Sequence, residues 1–240
     1  MFYDAVAKTK EWVLDFLFPL ACLSCKTSIS REDGFLCHLC STQIFINKTL
    51  ICPDCRSRLA ENKKSCHKNS GYLLAAATFY DDKAVKDLIW QLKYRGRQAA
   101  LIPLWKILNQ YLQNISPAFN DFKKFIVMPM PLHKAREKSR GFNQGLLFAE
   151  KIAEKFGLPL NQSLSRTRNT PPQAEIREVE KRKINVSGCF QIQNPLEIAK
   201  QNILLVDDVS TSGATLNEAA KTLKKAGAKK IIGLVIAKTR

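Results

Sequence analysis

The chain is predicted to be an α/β protein: a parallel sheet covered on both faces by helices, preceded by a small cysteine-rich unit held by metal. Three observations predict this. Seven of the eight cysteines fall between positions 22 and 66. From Gly71 onward, wholly apolar strands alternate with amphipathic helices, the pattern of a sheet buried on both faces. One of those strands, Ile203-Leu204-Leu205-Val206, runs into two acids and a Ser/Thr/Gly loop that opens a helix.

The cysteines come as Cys22-x2-Cys25, Cys37-x2-Cys40 and Cys52-x2-Cys55, with eleven residues between each of these pairs and the next, then Cys66-His67. Two cysteines two residues apart on a tight turn present both thiolates to one ion, and two such turns complete a closed, tetrahedral zinc site. Cys22, Cys25, Cys37 and Cys40 make one full set. Cys52, Cys55 and Cys66 supply three ligands of a second, for which His67 is a candidate fourth. Sequence does not fix how ligands are shared between pairs. About 50 residues this poor in apolar material do not fold on a core alone, so zinc supplies much of the folding free energy. Cys189 stands apart and reads as a small buried hydrophobe.

The expected division is an N-terminal amphipathic helix over 1–19, a zinc ribbon over 20–70 and the α/β domain over 71–240. In the first segment Phe2, Val6, Val13, Phe16 and Leu17 fall near one face. Packing on its own domain and docking on a membrane or partner helix are both open. The run Trp12 to Leu20 carries Asp15 and lacks a cleavage site, which argues against a secretory signal. No apolar run reaches the roughly 18–20 residues of a bilayer span. Exposed loops are expected at 62–64 and 68–71.

Within 71–240, strands are expected at Leu73–Tyr80, Phe125–Met128, Ile203–Val206 and Ile231–Ala237. Helices are expected at Asp81–Lys93, Ala99–Leu112, Gln144–Phe156 and Ala214–Ala226. Net charge is +17, and it is uneven. Residues 1–70 carry 10 Lys+Arg against 7 Asp+Glu, whereas 71–240 carry 28 against 14, a balance of +14. Such a surface attracts polyanions: nucleic acid, phosphorylated ligands or an anionic membrane. No Gly-x4-Gly-Lys-Ser/Thr loop is present, so the chain is not itself an ATP-driven motor of that class.

In an open parallel sheet, ligands bind where strands end and helices begin. Asp207 and Asp208 sit at such an end, as acceptors suited to ribose hydroxyls and to a hydrated Mg²⁺. Val209, Ser210, Thr211, Ser212, Gly213, Ala214 and Thr215 follow. Gly213 permits close backbone approach, the helix start offers free N–H groups, and Thr211, Ser212 and Thr215 add hydroxyls: a phosphate cradle. A lone N-cap explains one acid or one serine, not this whole run.

This strand, acid pair and loop resemble the signature of type I phosphoribosyltransferases, with Ser212 where Thr is frequent. Together with the zinc ribbon, the chain resembles the ComF family (ComFC and GntX-type proteins) over nearly its whole length. Further matches are Leu92-Lys93-Tyr94, Met128-Pro129-Met130-Pro131, Arg140-Gly141-Phe142-Asn143-Gln144, and Arg166-Thr167-Arg168 with Gln173 and Arg182. One departure is Asn69, where the family often completes a second Cys-x-x-Cys from Cys66.

The resemblance implies a type I phosphoribosyltransferase-like fold behind an N-terminal zinc ribbon. It implies that Asp207 and Asp208 hold the ribose of phosphoribosyl pyrophosphate, that the loop binds its 5′-phosphate, and that Mg²⁺ bridges sugar and pyrophosphate. It also implies a role in natural transformation: handling imported single-stranded DNA on the cytoplasmic side. An ATP-driven uptake helicase and other competence proteins are then the expected partners, and the N-terminal helix leaves peripheral contact at the inner face of the membrane open. The alternative is an active phosphoribosyltransferase acting on a nucleobase or related acceptor.

Pyrophosphate or nucleic-acid contacts are expected from Lys93, Arg95, Arg136, Arg140, Phe142, Asn143 and Arg168. For the basic run Lys134 to Arg140, a solvated loop is an equal reading. Arg166 to Arg182, broken by Pro171-Pro172, reads as a flap over the site. His133 is assigned no role. The lysines from Lys221 to Lys230 suit either a helix C-terminus or a nucleic-acid contact.

Overall fold

The computed structural model describes residues 20–59, 66–67, 70–115, 122–171, 173, 176 and 178–240. The expected helix over 1–19 and the loops at 62–64 and 68–69 lie outside them.

The central sheet has four parallel strands in the order β1-β6-β5-β2, with β1 at Leu73–Phe79, β2 at Phe125–Pro129, β5 at Asn202–Ser210 and β6 at Lys230–Lys238. Alternation along each strand sends neighbours to opposite faces. Leu204, Val206, Ile232 and Leu234 join one core, and Ile203, Leu205, Ile231 and Val235 the other. The first core is covered by α2 (Lys83–Arg95), α3 (Leu101–Ile115) and α5 (Gln144–Phe156). The second is covered by α8 (Ala214–Lys225) and by a short antiparallel pair, β3 (Leu164–Arg166) with β4 (Phe190–Ile192). Both faces being buried explains why these strands read as unbroken apolar runs.

β5 continues four residues beyond its expected end at Val206. Its partner β6 runs on to Lys238, so pairing carries Asp207, Asp208, Val209 and Ser210 out along the sheet. The acids therefore stand on a hydrogen-bonded strand rather than on a free loop. Among the described residues of 71–240 three further α-helices had no sequence signal: α4 (Lys134–Arg140), α6 (Val179–Val186) and α7 (Pro195–Ile198). α4 buries no residue, so it has no apolar period to read. Its N-cap is His133, whose Nδ1 accepts from the Ala135 N–H at 3.2 Å.

The cysteine-bearing segment docks on the first core, where Leu36, Ile44, Leu50 and Leu59 are buried with α3. It also covers the free edge of β1. Asn47 N–H donates to the Ala77 carbonyl at 2.8 Å, Asn47 Nδ2 to that of Ala76 at 2.8 Å, and Ile51 and Leu74 exchange two backbone bonds at 2.8 and 3.0 Å. An exposed strand edge is a template for aggregation, and this segment removes it. Its short helix α1 is His38–Thr42.

Gly34 is the tightest point of that docking. It sits at φ 71°, and a Cβ there would meet the Ala99 carbonyl at 2.5 Å and Pro103 Cδ at 2.7 Å. Gly34→Ala combines a left-handed backbone with an overlap against the start of α3. It is expected to destabilise by about 2–4 kcal/mol, read as a lower urea midpoint with zinc in the buffer. An unchanged midpoint would show that the ribbon is not held at this position.

Candidate ribose-phosphate site and zinc centres

The two metal clusters are built by one device used twice. In the first knuckle Lys26 N–H bonds to the Cys22 carbonyl and Cys22 N–H to that of Thr27. In the second, Arg56 N–H bonds to Cys52 and Cys52 N–H to Ser57 in the same way. Lys26 and Arg56 both take positive φ, 67° and 63°, which turns the chain sharply after the second cysteine of each pair.

The ligand atoms of Cys22, Cys25, Cys37 and Cys40 lie within 4.8 Å of one another, as do those of Cys52, Cys55, Cys66 and His67. Tetrahedral Zn–S bonds of about 2.3 Å need sulfurs about 3.8 Å apart. Cys25 and Cys37 Sγ stand at 3.7 Å, and His67 Nδ1 at 3.4 Å from Cys52 Sγ and 3.2 Å from Cys66 Sγ. Both sets thus fit zinc, and His67 occupies the fourth corner of the second. Crowding shows in the thiols themselves: Cys55 and Cys52 beside it push Cys66 up to about 12, while the Thr27 hydroxyl draws Cys25 down to about 6. Four sulfurs in contact do not all ionise until a cation joins them.

The second site is a cavity of about 180 Å³ at the C-terminal end of β5, floored by the strand end Asp207–Ser210, the loop Thr211–Gly213 and the first residues of α8. Asp208 is buried and receives Lys93 Nζ at 2.7 Å. The last turn of α2 is what brings Lys93 there. Burial alone lowers a lysine's proton affinity, but the charge and hydrogen bond of Asp208, with Asp207 behind it, leave Lys93 raised and cationic. Asp207 is the opposite case. Burial, and then the charge of Asp208, push its carboxyl up to about 7, against the pull of Lys93. Asp207 is therefore only partly ionised near neutrality, and a cation arriving beside it would draw off the remaining proton.

The loop beyond is shaped for an anion. Gly213 is the N-cap of α8 at φ 77°, and Tyr72 Oη stands 3.2 Å from where its Cβ would be, so a side chain here would be both strained and crowded. Thr211 turns its carbonyl away, accepting from Thr239 Oγ1 at 3.2 Å and from Arg56 Nη2 at 3.5 Å. Arg56 belongs to the second zinc knuckle and also donates to the Arg240 carbonyl at 2.9 Å.

The opposite wall is cationic: Arg136, Arg140 and Arg166, with Tyr80, Tyr94 and Gln173. Arg136 bonds to the Thr170 carbonyl, and Arg166 Nη2 to Thr170 Oγ1 at 2.6 Å. Arg166 Nε and Gln173 Oε1 are buried with no hydrogen-bond partner among the described residues. Unpaired buried polar atoms on a cavity wall are what a polar ligand would satisfy.

Of the expected contacts, Lys93, Arg136 and Arg140 line this cavity and four others do not. Asn143 is buried at the start of α5, where its Oδ1 accepts from Gly145 N–H at 2.9 Å and its Nδ2 donates to the Met130 carbonyl at 3.1 Å. Phe142 packs on the first core. Arg168 bonds to the Ser187 carbonyl, and Arg95 lies over the Trp90 ring. Lys93 itself serves first as the partner of Asp208. Sequence reasoning left Tyr80, Arg166 and Gln173 without a contact role, although Arg166 and Gln173 stood in the motifs that carried the resemblance. The segment read as a flap is stitched to α6 by Gln173 Nε2 to the Arg182 carbonyl at 3.1 Å and Asn185 Nδ2 to that of Pro171 at 3.0 Å.

Comparisons with known proteins agree with this architecture. A double zinc ribbon family model matches residues 13–77, and a phosphoribosyl transferase domain model matches residues 143–240. The competence protein ComFC of Bacillus subtilis is 30% identical over 86% of this chain and 78% of its own. Competence protein F of Haemophilus influenzae is 26% identical over 89% and 95% respectively. The DNA utilization protein YhgH of Escherichia coli K12 is 25% identical over 88% and 93%. A zinc-binding double ribbon joined to a phosphoribosyltransferase-type sheet, together with 30% identity over 86% of the chain to a ComFC protein, places it in the ComF family.

Proposed function

We propose that the protein handles imported single-stranded DNA on the cytoplasmic side of the membrane, using a phosphoribosyl pyrophosphate-type site to hold a ribose-phosphate group. The observation that carries the reading is the convergence in one cavity of Asp207-Asp208, the Thr211–Thr215 loop and the guanidinium groups of Arg136, Arg140 and Arg166. The acids suit ribose hydroxyls, the loop and α8 N-terminus suit a 5′-phosphate, and the arginines suit a second phosphate or pyrophosphate. Asp207 and Asp208 would hold hydrated Mg²⁺, which neutralises the pyrophosphate when bound. Names given to the relatives, competence and DNA utilization, support the DNA half of the reading, as does the +14 balance of residues 71–240. An ATP-driven uptake helicase and other competence proteins complete the proposed setting.

Two measurements test it. Calorimetry with phosphoribosyl pyrophosphate and Mg²⁺ should show binding that the double change Asp207→Ala, Asp208→Ala removes, and equal binding by the variant would refute the site. Fluorescence anisotropy with single-stranded oligonucleotides should show affinity that falls steeply with salt, and its absence would refute the DNA role. Pyrophosphate release in the presence of a base would make the protein a transferase, and retention without turnover a binder.

A further inference from the structure

α2 buries Val85, Leu88, Ile89 and Leu92 and so has met its folding requirement on that side. Its outer side nevertheless carries two large rings one turn apart: Trp90, 42% exposed, and Tyr94, 55% exposed. Their centroids are 6.2 Å apart with the planes at 43°. Each ring has a guanidinium beside it, Arg95 at 5.1 Å from the Trp90 centroid and Arg140 at 5.7 Å from that of Tyr94. The four groups form a row, cation, ring, ring, cation. Its inner half, Tyr94 and Arg140, is part of the cavity wall, while Trp90 and Arg95 stand outside it. α2 carries Lys83, Lys86, Lys93 and Arg95 against the single acid Asp87.

We infer that this row is a stacking strip for the bases of a single-stranded nucleic acid, leading from the surface into the ribose-phosphate cavity. The inference rests on the proposed reading of that cavity and of its DNA partner, and it adds where the strand runs. Ring faces accept any base, which suits a strand of arbitrary sequence, and a guanidinium beside each ring is within reach of the phosphate next to a stacked base. On α2 itself the positions flanking Trp90 at helical spacing are Lys86, Asp87, Lys93 and Tyr94, with Arg95 over its ring, a surround poorly suited to an apolar protein partner. The cationic surround favours a polyanion instead.

The test uses the full zinc-loaded chain and an oligothymidylate bearing a 5′-phosphate. Trp90→Ala should weaken oligonucleotide binding by about 5- to 100-fold. Trp90→Phe, which keeps a ring, should retain most of the affinity. Binding should quench Trp90 fluorescence in the native protein, and this component should vanish in Trp90→Phe. Arg95→Ala should reduce the slope of log affinity against log salt by about one contact's worth. Calorimetry with phosphoribosyl pyrophosphate should give the native value in Trp90→Ala, which also shows that the variant is folded. If the native protein binds the oligonucleotide and Trp90→Ala binds it equally well, the strip is refuted while the DNA reading stands. If the native protein does not bind it at all, both fall. Loss of binding to phosphatidylglycerol vesicles in Trp90→Ala, with oligonucleotide binding intact, would assign the strip to a membrane surface and overturn the inference.

Discussion

Asp207→Asn is expected to yield a protein that is more stable than the native one above pH 7 and binds ribose-phosphate more weakly. The sign follows from where the proton sits. An unfolded aspartate ionises near pH 3.8, whereas burial and Asp208 hold Asp207 protonated to about 7 in the folded state. Below pH 3.8 both states carry the proton and the group contributes nothing to pH dependence. Between 3.8 and about 7 the folded state binds more protons than the unfolded one, so stability falls as pH rises. Above 7 both are ionised and the penalty is complete, roughly 2–4 kcal/mol. Asparagine removes it, so the melting temperature of Asp207→Asn should exceed the native value at pH 8 and converge with it near pH 4. Binding should move the other way, weakening about 10- to 100-fold for loss of one charge-assisted hydrogen-bond acceptor. A variant that is no more stable at pH 8 would show that Asp207 is solvated in the folded protein.

The second large effect concerns metal. The native protein is expected to hold two zinc ions per chain by metal analysis, Cys22→Ser and His67→Ala one each, and Cys189→Ser both. Cys22 is fully buried and its sulfur accepts the Cys37 N–H at 3.5 Å, so its loss removes a ligand and a packed atom together. Structural zinc contributes about 10–16 kcal/mol in small zinc modules, far beyond what the few apolar side chains of 20–59 supply. Chelation should therefore unfold that segment, seen as complete hydrogen exchange over 20–59. It should also bare the edge of β1, seen as concentration-dependent aggregation. A chelated protein that keeps its exchange protection over 20–59 would show that the ribbon folds without metal.

The sequence makes some of this molecule plain for physical reasons. A strand buried on both faces must be apolar throughout, so Ile203–Val206 and Ile231–Ala237 stand out. Four thiolates around one ion need paired spacings, so the cysteines stand out as well. What escapes is whatever leaves no period. α4 is polar on every side, and β3 and β4 are three residues each, too short to alternate. His67 could be placed only by folding, because one histidine beside one cysteine carries no spacing signal. The Lys93–Asp208 pair joins residues on different elements, so nothing in either segment announces it. Asn143 and Phe142 looked like ligand contacts because amides and aromatics before a helix serve binding and capping equally well, and here the backbone of α5 claims the amide.

Arg56 links the second zinc knuckle to the phosphate loop. Its backbone forms the turn of the second zinc knuckle, and its guanidinium reaches the Thr211 carbonyl in the phosphate loop. Coupling between two binding sites is reciprocal: whatever an anion on the loop gains from an ordered knuckle, the knuckle's zinc gains from the anion. Zinc should then leave the second centre more slowly when phosphoribosyl pyrophosphate is bound, and Arg56→Ala should erase the difference while leaving both sites able to fill. The knuckle that holds the metal would thus report whether the cavity is occupied.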